Sequence, residues 1–225
     1  DYYWVRDESR SNTEVLDYIN KENEYTEKIM NDTKKLQDDI YKKLKGSIKE
    51  ADKSCILYKN SNTSYKYFKE TYLNVPYPTY KRIRCDTLTE ETILDISVLA
   101  KGYKHCDVHE PDVSPNHQIM TYAIDTEGNE KYDIIFVSLE NNAIIDHKIE
   151  KLPFGMYEWI SDNCIYYIKG DESDRMNKIY CYTLSDKIHT LIFEVSDPLF
   201  EVSLELSQDG KYIFSVQVKY IIHQR

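Results

Sequence analysis

The chain has 225 residues and a formal net charge of −10, so it lacks the cationic surplus that counterion-release binding to nucleic acid requires. Its 41% apolar content suffices for a packed core, and six glycines and six prolines beside 21 tyrosines speak against a disordered or collagen-like chain. No apolar run approaches the roughly 18 residues of a membrane span and no basic-then-apolar leader opens the chain, so a cytoplasmic protein with no membrane partner is expected.

The predicted elements begin with helix over residues 13–49. Ser11 and Glu14 have capping-box spacing, and Val15, Tyr18, Ile19, Ile29 and Met30 follow at helical intervals. A second stripe, Leu36, Ile40, Leu44 and Ile48, recurs every four residues. Asp32 or Thr33 is the expected cap between the two segments, and Gly46 loosens the end.

From residue 53 onward, short β-branched and tyrosine-rich runs alternate with Asn, Asp, Ser and Gly clusters, the pattern of many short strands joined by turns. The predicted strands are 55–60, 64–70, 77–83, 106–113, 119–125, 132–139, 143–149, 156–160, 164–169, 178–184, 188–194, 200–206 and 212–220. A repeat runs through them. VSPNHQIMTYAID, ISDNCIYYIKGD and LSQDGKYIFSVQ superpose Ser114, Ser161 and Ser207, spaced 47 and then 46 residues apart. FVSLENN at 136–142 and CYTLSDK at 181–187 repeat with nearly the same period. A four-stranded unit of this length is what a β-propeller blade looks like in sequence, because each blade buries its faces only against its neighbours. Blade one is expected over 55–97, blade two over 105–150, blade three over 155–195, and blade four from about 200. The apolar run YIFSVQVKY at 212–220 then forms an unpaired edge, from which we expect the natural chain to continue.

The chemistry-bearing residues are sparse. Cys55, Cys85, Cys106, Cys164 and Cys181 contain no C-x-x-C pair and read as reduced thiols. No two of the six glycines are four residues apart, so the G-x-S-x-G elbow of a serine hydrolase is missing, as are Gly-rich phosphate loops. His105, Cys106 and His109 form the densest set of metal-ligand types, but Pro111 follows at once and H-E-x-x-H is not matched. Neither a metal site nor a cofactor is expected. His117, His147, His189 and His223 have no partners identifiable from the sequence. Asp171, Glu172 and Asp174 read either as a solvated loop or as a binder of a cation or basic peptide.

DYYWVRD at 1–7 with EVLDYINKENEYTE at 14–27 resembles the opening signature of the prolyl oligopeptidase family of serine peptidases, in its oligopeptidase B version. LDISVLAKGY at 94–103, VSPNH at 113–117, YAIDTEGNEKYDI at 122–134 and DESDR at 171–175 continue the resemblance in order. It implies a mainly β chain: about three and a half blades of a seven-bladed propeller over 53–225, preceded by an α-helical segment over 1–52 that packs on a carboxy-terminal α/β-hydrolase domain of the same protein. It also implies that the Ser-Asp-His triad lies beyond Arg225, with no catalytic residue in this chain, and that the substrates are short peptides cut after Arg or Lys. FGMYEW at 154–159 resembles the segment whose phenylalanine lines the substrate pocket from the propeller side, which makes Phe154 the candidate substrate-binding residue; an aromatic plug at the start of an inner strand is the other reading. Two departures stand out. The region 55–82 lacks the family's glycine-bearing turn, leaving Asn60 to Thr63 to make it, and Met176 replaces the usual Pro after Arg175. The alternative to a peptidase part is a propeller interaction module with no enzymatic domain, for which the helical opening segment has no evident use.

Overall fold

A computed structural model describes residues 2–59, 62–145, 148–207 and 209–219. The chain divides into two compact units, residues 1–49 and 50–225. In the first, a 3-10 turn at Tyr3–Val5 leads to α1 (Thr13–Met30), a second 3-10 turn at Asn31–Thr33 and α2 (Lys34–Gly46). The opening aromatics lie against α1, with Trp4 edge-on to Tyr18 at 5.1 Å. The cap of α1 is Asn12 and not Ser11. Asp7 draws the backbone N–H groups of Ser9, Ser11 and Asn12 onto its carboxylate, and Asn12 Oδ1 accepts from Glu14 N–H at 3.0 Å, so the cap moves by one residue while the helix begins at Thr13 as expected. Thr33 makes no N-cap bond: its hydroxyl donates back to the Met30 carbonyl at 2.7 Å, so the backbone passes from helix to helix through a tighter turn.

The second unit is a succession of antiparallel sheets. Sheet one contains β1 (Asp52–Lys53), β2 (Leu57–Lys59), β3 (Asn62–Thr71), β4 (Thr79–Arg84) and β5 (Glu90–Asp95), with β1 and β2 both on β3, and is followed by the short helix α3 (Ile96–Leu99). Sheet two contains β6 (Asp107–Val108), β7 (Asp112–Val113), β8 (Ile119–Asp125), β9 (Lys131–Ser138) and β10 (Ile149–Pro153), with β6 and β7 both on β8. Sheet three is the meander β11 (Tyr157–Ser161), β12 (Cys164–Gly170), β13 (Met176–Thr183) and β14 (Ile188–Glu194). Sheet four pairs β15 (Phe200–Leu206) with β16 (Ile213–Lys219). Three full blades and half of a fourth therefore succeed one another, as the repeat predicts.

Each junction between consecutive sheets has its own core. Tyr80, Leu94 and Ile96 meet Val113, Met120 and Tyr122 at the first; Ile134, Phe136 and Leu152 meet Trp159, Ile165 and Tyr182 at the second; Ile168 and Ile179 meet Val202 and Leu204 at the third. A sheet covered on one side only would leave such faces wet, which is why the architecture needs its neighbours.

The repeat has a hydrogen-bond basis. Ser114 N–H donates to the Ile119 carbonyl (2.8 Å), its hydroxyl donates to Asn116 Oδ1 (2.7 Å) and accepts from Ile119 N–H (3.0 Å), and its carbonyl accepts from His117 N–H (2.8 Å). Ser207 makes the same four bonds with Tyr212, Asp209 and Gly210. The third residue after each serine is left-handed, Gly210 at φ +69° and His117 at φ +60°. The Ser161 turn is shorter, pairing Ser161 directly with Cys164.

Several predicted strands shift. The run 106–113 is broken into β6 and β7, because Pro111 has no N–H to give the ladder. Of the run 143–149, Ile144 makes an isolated bridge to Val137 and Ile149 opens β10, while Asp146 and His147 lie outside the described residues. Strand β5 has no counterpart among the predicted strands. Its Glu90 and Glu91 pair with Lys81 and Arg82, so charge and not apolar alternation marks its first residues. Of the turn predicted at Asn60 to Thr63, Asn60 and Ser61 lie outside the described residues, while Asn62 and Thr63 belong to β3.

Candidate functional site

Strands of all four sheets line a cavity of about 570 Å³. Leu57 of β2, Asp112 and Val113 of β7, Tyr157 and Glu158 of β11 and Leu204 of β15 contribute, so all four sheets reach it. Alternation places Trp159 in the core of the second junction, where its indole N–H donates to Thr121 Oγ1 at 2.9 Å, while Glu158 lines the cavity. The Tyr157 hydroxyl donates to the Thr121 carbonyl at 2.9 Å, and burial pushes this phenol far up. Tyr67 and Tyr80, which also line the cavity, are pushed up to about 12 by burial.

Phe154 sits on the loop from β10 to β11, beside the cavity-lining Gly155. It is 45% exposed, in left-handed backbone at φ +56°, with its N–H donating to the Glu130 carbonyl at 3.1 Å. A bulky residue pays of order 1 kcal/mol or more for that conformation. Gly155 is also left-handed, and a Cβ on it would come within 2.7 Å of Ala123 Cβ and 2.8 Å of Tyr132 Cβ. The close approach of this loop to sheet two therefore requires glycine.

Neighbouring loops at this end are held by carboxylates. Both Asp125 oxygens accept two backbone N–H groups each, from Glu127 and Gly128 and from Asn129 and Glu130, at 2.8–2.9 Å. Burial pushes this carboxyl up, but the four donors together leave it below its ordinary value. The acidic cluster is similarly committed: Asp171 receives Arg175 Nε at 2.9 Å, Asp174 lies 3.1 Å from Lys131 Nζ of sheet two, and Arg175 Nη1 donates to the carbonyls of Asp197 and Phe200 leading into sheet four. These three residues tie the blades together at their loops.

The histidines serve separate places. His105 lies 4.0 Å from Asp125, His109 packs on the Tyr132 ring, and Cys106 is buried in the first core. His117 Nδ1 shares a hydrogen bond with Tyr67 (2.7 Å) and His189 Nδ1 one with Tyr167 (2.9 Å), while His147 and His223 lie outside the described residues. Among the described residues, no three metal-ligating side chains come together, and no helix is long and apolar enough to cross a membrane. The cavity carboxylates escaped the sequence reading. Their only signal is a polar residue alternating with apolar ones in a strand that opens a blade.

Comparison with known proteins gives this arrangement a context. Residues 1–219 match the family described as the prolyl oligopeptidase amino-terminal β-propeller domain. The chain is 26% identical over 224 residues to Protease 2 of Moraxella lacunata and 26% identical over 233 residues to Dipeptidyl aminopeptidase BI of Pseudoxanthomonas mexicana, covering 95% of this chain in each case. It spans about a third of the length of these relatives, 32% of each. The solved structure of oligopeptidase B from Leishmania major superposes with a TM-score of 0.80 at 27% identity, over 96% of this chain and 31% of that one.

Proposed function

The chain belongs to the prolyl oligopeptidase family through its amino-terminal β-propeller domain, and on that premise we propose that it is the gatekeeping, non-catalytic part of a cytoplasmic serine oligopeptidase that hydrolyses short peptides after Arg or Lys. In this reading residues 1–52 pack on a carboxy-terminal α/β-hydrolase domain, residues 53–225 open the propeller, and the triad lies beyond Arg225. The observation that carries it is the family match over residues 1–219, joined to the likeness to oligopeptidase B. Phe154 is taken as the substrate-facing residue on the resemblance of FGMYEW, with its half-exposed place next to the cavity-lining Gly155 in support.

The intact protein should cleave blocked reporter peptides after Arg and Lys and lose that turnover to a serine-directed reagent. The name of the dipeptidyl aminopeptidase relative, at equal identity, favours a second reading in which dipeptides leave free amino termini. Cleavage restricted to unblocked peptides, two residues at a time, would establish that reading and overturn the first. Phe154→Ala should raise KM for peptides about five-fold, the worth of one aromatic contact, with kcat little changed.

A further inference from the structure

Two left-handed residues are hydrogen-bonded to each other in sheet two, Glu130 at φ +60° and Phe154 at φ +56°. Non-glycine residues keep such backbone only where their surroundings over-determine it. Glu130 is fixed at both of its backbone polar groups: its N–H donates to Asp125 Oδ2 at 2.9 Å, and its carbonyl accepts from Phe154 N–H at 3.1 Å. The same carboxylate gathers the N–H groups of Glu127, Gly128 and Asn129, so the loop from β8 to β9 is wound around Asp125, which is only 2% exposed. A loop that merely joined two strands could leave those N–H groups to water and would need no buried carboxylate. After Phe154 comes Gly155, whose space is bounded by Ala123 and Tyr132. Tyr132 is held in turn by its hydroxyl on Asp107 Oδ2 at 2.5 Å and by the ring of His109.

We propose that Asp125 is a positioning residue for Phe154: it holds the loop 126–130 in the shape that offers the Glu130 carbonyl to Phe154 N–H, and through that bond it sets where the aromatic ring stands. The carboxylate acts through the backbone of Glu130 and not by contact with a peptide. Each of its oxygens takes two donors, which an amide can match on one side only. Whichever way the amide of Asp125→Asn turns, two N–H groups of the loop face its NH2. The loop then loses its fixed shape, and Phe154 is released toward ordinary backbone. The benefit of ring placement to a peptide rests on the substrate-facing reading of Phe154; the hold of Asp125 on the ring does not.

The test uses the intact protein with 4-fluorophenylalanine at position 154 as its sole fluorine. Asp125→Asn should shift or broaden that 19F resonance, and should raise KM for cleaved peptides about five-fold with kcat little changed, as expected of Phe154→Ala. Added to Phe154→Ala it should raise KM no further, because the ring it places is gone. Arg82→Met, which weakens the first junction, should move neither the resonance nor KM; if it moves both as Asp125→Asn does, general loss of stability is the cause and the proposal falls. A resonance unmoved by Asp125→Asn overturns it, as does a KM effect that persists undiminished without the phenyl ring. If the resonance responds while Phe154→Ala leaves KM unchanged, the substrate-facing reading falls and the positioning stands; if Phe154→Ala raises KM while Asp125→Asn moves neither, the reverse holds. Should no peptide be cleaved, the fluorine arm decides alone. Should Asp125→Asn fail to fold, Gly128→Ala takes its place: at φ +76° the added methyl meets the His105 ring no closer than 3.5 Å but strains the same loop, and a resonance indifferent to it overturns the proposal.

Discussion

Between the first and second sheets a buried guanidinium is added to the apolar core; between the second and third an indole lies within it. Arg82, almost fully buried, donates Nη1 to the His117 carbonyl at 2.8 Å, lies 2.6 Å from Glu91 through Nε, and stacks its guanidinium 4.2 Å from the Tyr65 ring centroid. Trp159 instead fills the second core edge-on to Phe136, with one hydrogen bond to Thr121. The same blade-to-blade task thus admits two solutions. A buried charge stands only while its partners stand, whereas a packed aromatic stands on volume.

The largest effect should come from the second junction. Trp159→Ala should destabilise the intact protein by about 3–5 kcal/mol through cavity formation, read as a lower denaturant midpoint. Trp159→Phe should cost much less, since it keeps most of the packing and gives up one hydrogen bond of about 1 kcal/mol. If the two substitutions cost the same, the indole hydrogen bond and not volume holds this junction.

Arg82 gives the next largest effect and the opposite test. Arg82→Ala should cost about 2–3 kcal/mol, the worth of charge-assisted hydrogen bonds lost to the His117 carbonyl and Glu91. Arg82→Met restores the stem over Tyr65 but none of those bonds. A methionine variant as stable as the parent would mean that the first junction also rests on volume, and the contrast would collapse.

These junctions show why the architecture was legible and the site less so. The period that exposes the blades comes from turn chemistry: Ser114 and Ser207 each need a hydroxyl, an Asn or Asp two residues on and a left-handed residue at the third. Those demands are local and survive in the sequence, as does the alternation of β9. What closes the blades is remote in the chain. Arg82 answers a carbonyl 35 residues away and Trp159 a hydroxyl 38 residues away, and no local pattern reports either. The cavity carboxylates are harder still, since Asp112 of β7 and Glu158 of β11 line one cavity only once sheets two and three have come together. Asn12 displaced Ser11 as the helix cap for a similar reason, the competing acceptor Asp7 being outside the capping window.

The smallest effect separates a surface network of sheet one from both junctions. Glu70 accepts from Lys81 and from the Tyr72 hydroxyl, which hold its carboxyl down at about 2 against an ordinary 4.5. A carboxyl depressed by folding stabilises the native state above its unfolded value, and that stability is lost as pH falls through the folded one. The protein should therefore lose stability between about pH 4.5 and about pH 2 with a contribution from Glu70. Glu70→Gln should flatten the Tm profile in that window and leave Tm above it only slightly lowered, because ion pairs with partial solvent access are worth little. An unchanged acid slope would place the titrating groups elsewhere, with Asp125 and its four backbone donors the next to replace.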